Sequence, residues 1–340
     1  MMVPNIEYNM FDWPLEFRPN EANIRAENGE KFDMLVNHII FNKTSIAPLM
    51  KPDAQYVTIV REPLAHLRSS FQYFDLNNDE RLGKGVEAMN HYLSNPSKYD
   101  KSPDWLESVI PLADNRVNSL TRNLQSADLG LSYWDFEKKR VVQKFIDETI
   151  ANFHFIMILE RLEESLILLR RLMCWRMQDV MFIRKNVNPD QLFEMRELSE
   201  QTKARAYKWN NADLLLYKAA NKRFDELMSA ESQIKEEVAA FKSIRRRMTK
   251  QCLKVFRLKE KAGILTIPAG KWNEEFKVDN KFCVLLLLDE RDLTHVFKCK
   301  QFPFHKDCRG VPGARVNNTI SMIEGKVPYE HIPIISNDGL

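Results

Sequence analysis

The sequence has little of what marks several familiar protein classes. It contains only five cysteines among 340 residues, and this odd, sparse set does not predict a disulfide scaffold. Its formal net charge is +3, which is too small for the global basic field of a nucleic-acid binder. No apolar run approaches the ~20 residues of a membrane span, and residues 1–14 lack the basic and apolar regions of a signal peptide. Taken literally, these absences predict a soluble, cytosolic chain.

Cysteine and histidine also fail to form a recognisable metal motif. Cys299, His305 and Cys308 lie close together, with Cys283 upstream, but their spacing matches no familiar zinc finger or zinc ribbon. A short basic loop with incidental cysteines explains this cluster better than a metal site does. We therefore expect no metal ion.

Hydrophobic periodicity predicts an α/β fold. Apolar runs of strand length alternate with amphipathic helical segments, which is typical of a parallel sheet flanked by helices. We expect residues 1–261 to form this domain, with a long helical segment over residues 198–261. Residues 262–340 are expected to form an irregular, β-containing C-terminal extension of uncertain fold. The predicted strands are residues 34–40, 56–60, 153–159 and 282–288, and the predicted helices are residues 63–74, 85–93, 115–124, 141–151 and 163–174.

The most informative segment is residues 55–70, with the sequence QYVTIVREPLAHLRSS. Arg61 follows a β-branched strand, and Pro63 fits the first turn of the next helix, where its missing N–H costs nothing. Ligands of open α/β sheets bind beyond the carboxyl ends of strands, and an arginine there offers a planar fork of donors to phosphate oxygens. Ser69 lies on the same predicted helix, and its hydroxyl can donate to the same anion. An ion pair between Arg61 and the adjacent Glu62 is the alternative interpretation.

Two further polar residues follow predicted strands. His38 lies at the end of the first predicted strand, where it can take a proton from a sugar hydroxyl near neutral pH. A hydrogen bond between His38 and a backbone group is the simpler alternative. Glu160 lies at the carboxyl end of a later apolar strand and can face a ligand, although an ion pair with Arg161 or Arg171 would also explain it.

Two aromatic residues are candidates for contact with an adenine ring. Trp209 and Tyr217 lie eight residues apart on one predicted helix. Aromatic residues at this spacing belong to the packed core more often than to a ligand platform, so packing remains the alternative for both.

The order of these residues resembles one known family. Arg61 and Ser69 after VTIV resemble the 3′-phosphate-binding motif of sulfotransferases that use 3′-phosphoadenylyl sulfate (PAPS), and VTIVREPLAHLRSSFQYF resembles the galactose-3-O-sulfotransferases in particular. Further segments resemble that family, in its order and spacing, over roughly residues 8–225. They are NH-x-x-F at residues 37–41, RN with DLG at residues 122–130, the E…ESL.LL block at residues 160–169, LMCW at residues 172–175, and the WN..D..LY...N block at residues 209–221.

The resemblance implies a P-loop-like sulfotransferase fold and a carbohydrate sulfotransferase with PAPS as its co-substrate. Sulfate would move to the 3-hydroxyl of a galactose in a glycolipid, such as galactosylceramide, or in a glycoprotein glycan. The resemblance also implies the lumenal face of the Golgi membrane, and sequons at Asn42 and Asn317 are compatible with that location. The implied roles are His38 as the catalytic base, Arg61, Ser69 and Trp209 for PAPS, and Arg122, Asn123 and Glu160 for the acceptor.

One element of the family pattern is missing from the sequence. The 5′-phosphosulfate loop, a Lys-Thr-His-Lys-Thr type turn between a strand and a helix, is absent, and no Gly-Lys-Ser/Thr segment replaces it. The sequence begins just downstream of where this loop and a membrane anchor are expected, and residues 262–340 do not match the family's usual C-terminal region. We therefore expect either a truncated sulfotransferase or an inactive relative that binds glycan or the desulfated donor, PAP.

Overall fold

A computed structural model of the chain describes residues 31–36, 38–74, 82–100, 119–184, 198–258 and 263–288, together with residues 13, 16, 17, 19 and 76. The strands are β1 (Val57–Val60), β2 (Phe155–Ile158), β3 (Leu265–Ile267) and β4 (Phe276–Val278). The helices are α1 (Lys43–Ile46), α2 (Pro63–Tyr73), α3 (Gly85–Ser94), α4 (Pro96–Tyr99), α5 (Leu124–Asp128), α6 (Lys139–Asn152), α7 (Leu162–Leu172), α8 (Glu200–Trp209), α9 (Asn211–Ala230), α10 (Ile234–Leu258) and α11 (Asn280–Leu287).

Strands β1 and β2 form a two-stranded parallel sheet, paired from Val57 with Phe155 to Val60 with Ile158. Both strands consist mainly of β-branched and large apolar residues, which suit a pleated and buried surface. All four side chains of β2 are buried, whereas Ile59 of β1 is 44% exposed. The parallel register brings the carboxyl ends of the two strands to the same edge of the sheet, so the residues that follow them meet there.

Helices flank this sheet and build the main hydrophobic core. α7 and α9 pack on β2, α6 packs on α9, and α10 packs on α7. Val142 and Ile146, one turn apart, form the buried face of α6. Ile158, Ile167 and Phe224, from β2, α7 and α9, are fully buried, and burying each such side chain contributes ~1.5–3 kcal/mol. The expected α/β architecture, a parallel sheet flanked by helices, is confirmed.

A second hydrophobic cluster fixes the direction of α2. Leu64 and Leu67 of α2 pack with Tyr92 and Leu93 of α3 and with Ala206 of α8. Because α2 follows β1 after only two residues, this cluster also determines how the chain leaves the sheet. The helices predicted over residues 63–74, 85–93, 141–151 and 163–174, and the helical segment from residue 198, are all present.

Residues 282–288 belong largely to helix α11, so the prediction of a buried strand there is wrong. The helix begins where the Asp279 carboxylate accepts a hydrogen bond from the Phe282 N–H at 2.8 Å. Cys283 and Val284 are buried, and the helix packs on α10. A short, uniformly apolar run has no periodicity, so Asp279 as an N-cap was the only local sign of a helix.

Two other predicted elements also differ from the structure. The helix predicted over residues 115–124 is not formed in its described part, because Asn123 has a left-handed backbone (φ 49°) and α5 begins only after it. In its described residues, 34–36 and 38–40, the strand predicted over residues 34–40 contains only isolated bridges. One of them joins Ile40 to Glu16, whereas the nearby Phe32 pairs with Met50, so this part of the chain changes partners instead of forming one ladder.

The described part of the C-terminal extension packs on the preceding helices. β3 and β4 pair antiparallel, and Ile267 and Val278 lie in the main core. A disulfide bond joins Cys252 of α10 to Cys283 of α11. The cysteine count alone did not predict this bond, because a count gives no pairing. The domain boundary expected after residue 261 stays a prediction.

The disulfide gives a first testable prediction. Replacing Cys252 and Cys283 together with alanine should lower the free energy of unfolding by about 3–4 kcal/mol, because the bond closes a loop with a sequence separation of 31 residues. Denaturant unfolding of the wild type and the double variant measures this loss. Cys174→Ala, which removes an exposed free cysteine, is the control and should change stability by less than about 0.5 kcal/mol. Equal unfolding midpoints with and without reductant would contradict the prediction.

Candidate functional site

The residues that follow β1 and β2 meet at the carboxyl edge of the sheet. The backbone N–H of Glu62 donates to Glu160 Oε1 at 3.0 Å, so the turn after β1 is joined to the turn after β2. This edge is where ligands of open α/β sheets bind. The structure therefore brings Arg61 and Glu160, two of the predicted site residues, to one place.

Gln125 fixes the backbone of Arg61. The Arg61 N–H donates to Gln125 Oε1 at 2.6 Å, and Gln125 Nε2 donates to the Arg61 carbonyl oxygen at 3.0 Å. The Glu62 carboxylate instead caps α2 by accepting from the N–H groups of Leu64 (3.1 Å) and Ala65 (2.7 Å). The alternative of an Arg61–Glu62 ion pair is therefore wrong. Within the described part of the chain, the Arg61 guanidinium has no carboxylate partner.

A buried carboxylate holds Gln125 in turn. Asp213 of α9 is 1% exposed and accepts hydrogen bonds from the N–H (2.8 Å) and the hydroxyl (2.6 Å) of Ser126. It also accepts from the Gln125 N–H at 3.3 Å, so it satisfies donors at the start of α5. Burial raises the pKa of Asp213, and these hydrogen bonds oppose that shift.

His66 and Ser69 lie one turn apart on α2. Burial, and secondly the charge of Arg61, lower the pKa of His66 to about 4, so its ring is neutral at physiological pH. Ser69, three residues after His66, shares its face of α2. Ser69 is half-buried, and its hydroxyl makes no hydrogen bond to another described residue.

Two tyrosines lie beside the two glutamates of this edge. The Tyr217 hydroxyl donates to Glu160 Oε2 at 3.1 Å, and Tyr207 lies close enough to Glu62 for the charge of that carboxylate to affect its pKa. Burial raises the pKa of Tyr217 and of Tyr207 to about 12, and the nearby carboxylates add to both shifts. Both phenols are therefore protonated donors at neutral pH. Glu62, Glu160, Tyr207 and Tyr217 together form what we call the Glu–Tyr cluster.

The alternative ion pairs of Glu160 are not formed. Arg161 pairs with Glu164 and Asp225 at 2.5 Å each. Arg171 pairs with the buried Glu237 and with Glu231. Glu160 itself is exposed, so its carboxylate faces solvent at the sheet edge.

The ring of His38 lies beside Trp13, with 6.3 Å between the ring centroids. His38 is exposed. The Trp13 Nε1–H donates to Asp128 Oδ1 at 2.8 Å, at the far end of α5 from Gln125. No described contact joins His38 to Arg61 or Glu160. The assignment of His38 as the catalytic base stays a prediction.

Arg122, Asn123 and Trp209 make contacts within the fold. The Arg122 guanidinium lies 4.4 Å from the centroid of the Trp209 ring, which is 9% exposed, and Arg122 also pairs with Glu137. Asn123 is 2% exposed, and its Oδ1 accepts from the Asp213 N–H at 3.2 Å. This burial favours packing over an adenine platform for Trp209. The predicted binding roles of the three residues remain predictions.

The helix predicted to carry both Trp209 and Tyr217 is in fact two helices. α8 ends at Trp209 and α9 begins at Asn211. Asn210, between them, accepts the Asn123 N–H on its side-chain oxygen at 2.6 Å. Trp209 and Tyr217 therefore do not share a helix face.

The remaining candidate positions are only partly described. Asn42 is the N-cap of α1; its Oδ1 accepts from the Ser45 N–H at 3.2 Å and its Nδ2 donates to Glu16. Asn317 lies outside the described residues, as do Cys299, His305 and Cys308. Cys283 is in the disulfide bond and so is not available to a metal. Over the described ranges, no group of three or more His, Cys, Asp or Glu side chains could hold a metal ion.

Comparison with known proteins decides the family. The sequence model of the family described as galactose-3-O-sulfotransferase matches residues 1–279. The chain belongs to the galactose-3-O-sulfotransferase family. The resemblance carried by the Arg61–Ser69 segment and the later motifs is confirmed.

Relatives within the galactose-3-O-sulfotransferase family are similar over most of this chain. Galactosylceramide sulfotransferase of Bos taurus is 28% identical over 269 residues, which is 78% of this chain and 60% of that protein. The Homo sapiens protein of the same name is 29% identical over 250 residues, 72% of this chain and 55% of that protein. Galactose-3-O-sulfotransferase 2 of Mus musculus is 27% identical over 225 residues, 65% of this chain and 54% of that protein. The chain thus spans 51–60% of the length of the galactosylceramide sulfotransferases that it matches. No solved structure matches it.

For a member of this sulfotransferase family, the sheet edge offers two chemically different sides. Arg61, His66 and Ser69 provide a cation and neutral polar groups, whereas the Glu–Tyr cluster provides the exposed Glu160 carboxylate, because the Glu62 carboxylate is occupied at the start of α2. The sequence patterns alone pointed to neither Gln125 nor His66. The spacing of three residues between His66 and Ser69 on one helix could have predicted that His66 shares the face of Ser69.

The contacts of Asp213 lead to a prediction about stability. Asp213→Ala should lower the free energy of unfolding by about 3 kcal/mol, because it leaves the Ser126 N–H and hydroxyl buried without their acceptor. Asp225→Ala on the same helix removes an exposed carboxylate and should cost less than about 1 kcal/mol. Denaturant unfolding of both variants measures the difference. Equal losses would show that Asp213 does not hold α5.

Proposed function

We propose that this chain binds PAPS and serves the transfer of its sulfuryl group to the 3-hydroxyl of a galactose, in galactosylceramide or in a glycoprotein glycan. Membership of the galactose-3-O-sulfotransferase family supports the reaction class. The names of the relatives, galactosylceramide sulfotransferase among them, support the acceptor class. A P-loop-like sulfotransferase fold is part of the same proposal.

One observation carries the donor site: the Arg61 guanidinium is held at the carboxyl edge of the sheet without a carboxylate partner among the described residues. Gln125 fixes the Arg61 backbone, and Glu62 is occupied as the cap of α2. A guanidinium offers parallel N–H donors that match phosphate oxygens. We assign Arg61 to the 3′-phosphate of the donor, with the Ser69 hydroxyl as a second donor on the same side.

The proposed sulfuryl transfer resembles phosphoryl transfer. The acceptor oxygen attacks sulfur, the bond between sulfur and the bridging oxygen of the 5′-phosphate breaks, and PAP leaves with the electron pair. Positioning and charge stabilisation dominate such reactions, so a fixed cation contributes without moving. His38 is proposed as the base that takes the hydroxyl proton, and Trp209, Arg122 and Asn123 as residues that support the site from within the fold.

We also propose that the protein works at the lumenal face of the Golgi membrane. The disulfide between Cys252 and Cys283 supports this, because such bonds persist in oxidising compartments. The sequons at Asn42 and Asn317 are compatible with it. Among the described helices, none is both long and apolar enough to cross a membrane.

The donor site predicts the effect of one substitution. Arg61→Ala should weaken PAP binding by about 10- to 100-fold, because it removes a charged hydrogen-bond donor worth about 1.5–3 kcal/mol. Isothermal calorimetry with PAP measures the dissociation constants. Arg246→Ala, which removes an exposed arginine of α10, is the matched control and should leave them unchanged. If Arg61→Ala binds PAP as the wild type does, the donor assignment fails.

His66 gives a second, independent readout of the same site. Its pKa is about 4 partly because Arg61 is positive, so a bound phosphate that offsets this charge should raise the pKa of His66. Arg61→Ala should raise it in the free protein by the same reasoning. Titration of the His66 ring by NMR, with and without PAP, measures both shifts. An unchanged His66 pKa in saturating PAP would place the anion elsewhere.

An assay of sulfate transfer distinguishes an active sulfotransferase from a non-catalytic relative. Transfer of labelled sulfate from PAPS to a β-galactoside is expected of a sulfotransferase. PAP binding without any transfer would instead identify a non-catalytic, PAP- or glycan-binding relative.

A further inference from the structure

Helix α5 contacts two distant parts of the chain at residues three positions apart. Gln125, in its first turn, holds the backbone of Arg61 through two hydrogen bonds. Asp128, its last residue, accepts the Phe41 N–H on its backbone oxygen and the Trp13 Nε1–H on Oδ1, each at 2.8 Å. The arginine assigned to the donor and the N-terminal part of the protein are therefore fastened to one short helix.

Trp13 connects Asp128 to His38. The His38 ring lies against the Trp13 ring, with 6.3 Å between the ring centroids and 51° between the ring planes. Trp13 also packs on the buried Leu120, as does Phe74, the residue that follows α2. The indole is thus held both by a hydrogen bond at its N–H and by apolar packing, so its orientation limits where the His38 ring can lie.

The main chain after His38 is fixed by close packing against Gly130. Gly130 has a φ of 102°, and a Cβ at this position would lie 2.8 Å from the Phe41 carbonyl oxygen. Glycine alone lets the turn after α5 come this close to residue 41. The Phe41 ring packs in turn against Phe153 and Tyr56, at 4.5 Å and 5.7 Å between ring centroids. Backbone and ring contacts therefore fix Phe41, three residues after His38.

We propose that Asp128 is a positioning residue for His38. Its carboxylate fixes the Trp13 indole against the histidine ring, and its carbonyl oxygen fixes the chain at Phe41. The inference rests on the proposed function, since that function makes His38 the base. It gives α5 the task of spacing the arginine that binds the donor from the histidine that takes the acceptor's proton. Such spacing matters because a misplacement of about 1 Å can cost about 100-fold in rate.

Substitutions of Asp128 in the full chain test this role, with transfer of labelled sulfate from PAPS to a β-galactoside as the assay. Asp128→Ala should lower kcat by about 10- to 100-fold at an unchanged KM for PAPS, because the base is displaced while the donor site is intact. Asp128→Asn should restore most of kcat, since its amide oxygen can accept the indole N–H. Asp135→Ala, which removes a nearby carboxylate that pairs with Lys138, is the matched control and should leave kcat unchanged.

Two glycines provide a second matched pair of variants. Gly130→Ala should also lower kcat, because its Cβ would displace the Phe41 carbonyl group. Gly83 likewise has a positive φ, 89°, but a Cβ there would meet Glu87 only at 3.9 Å. Gly83→Ala therefore adds backbone strain without the clash, and it should keep the wild-type kcat.

NMR of the His38 ring gives a readout that does not depend on activity. The ring current of Trp13 acts on the His38 ring protons, so Asp128→Ala and Gly130→Ala should shift their signals toward those seen in Trp13→Leu. Asp128→Asn and both control variants should leave these signals in place. His38→Gln, in which the signals disappear, assigns them.

The outcomes separate this inference from the proposed function. Shifted His38 signals, with a lower kcat at an unchanged KM for PAPS, support the positioning role. Unshifted signals overturn it, as does a wild-type kcat in Asp128→Ala. An equal loss of PAP binding in Asp128→Ala also overturns it, because that loss indicates general damage to α5. If the wild type transfers no sulfate while the His38 signals shift as expected, the proposed function fails and the positioning of the ring stands.

Discussion

The buried carboxylate of Asp213 is the contact on which the geometry of the sheet edge depends. It accepts hydrogen bonds from the first turn of α5, and α5 carries Gln125, whose amide pairs with the backbone of Arg61. Burying a carboxylate is costly unless protein hydrogen bonds replace those that it made with water. The Asp213 carboxylate must therefore stay within hydrogen-bond distance of its donors. α9 carries both Asp213 and Tyr217, so the same helix contacts the segment that fixes Arg61 and the Glu160 carboxylate.

The arrangement separates charges across a short distance. On the α2 side of the edge, burial keeps His66 neutral, so Arg61 is the positive charge there. The opposite side has the exposed Glu160 carboxylate, which accepts a hydrogen bond from the protonated Tyr217 hydroxyl. An anionic donor is attracted to the first side and repelled by the second, while a neutral sugar finds acceptors on the second. Electrostatics alone can thus orient two substrates of different charge.

The sequence predicted what local chemistry determines. The β-branched run before Arg61 and the apolar run before Glu160 gave both parallel strands, and family motifs gave the reaction class. Contacts between residues far apart in the chain could not be predicted from local sequence. Gln125 lies 64 residues from Arg61, and Asp213 lies 87 residues from Ser126. Local propensity also fails where tertiary contacts decide, as at the left-handed Asn123. Its backbone N–H donates to the Asn210 side chain, and its side-chain oxygen accepts from the Asp213 N–H.

Glu62 connects the two sides of the edge because its backbone and side chain act on different elements. Its carboxylate caps α2, the helix that carries His66 and Ser69, and its N–H holds Glu160. A displacement of α2 would therefore move the peptide that positions Glu160. Because binding energies that share a structural element are reciprocally linked, any effect of a ligand at Arg61 on affinity at Glu160 must be matched by an equal effect in the other direction. Glu62 thus links the geometry of α2 to the position of the Glu160 carboxylate.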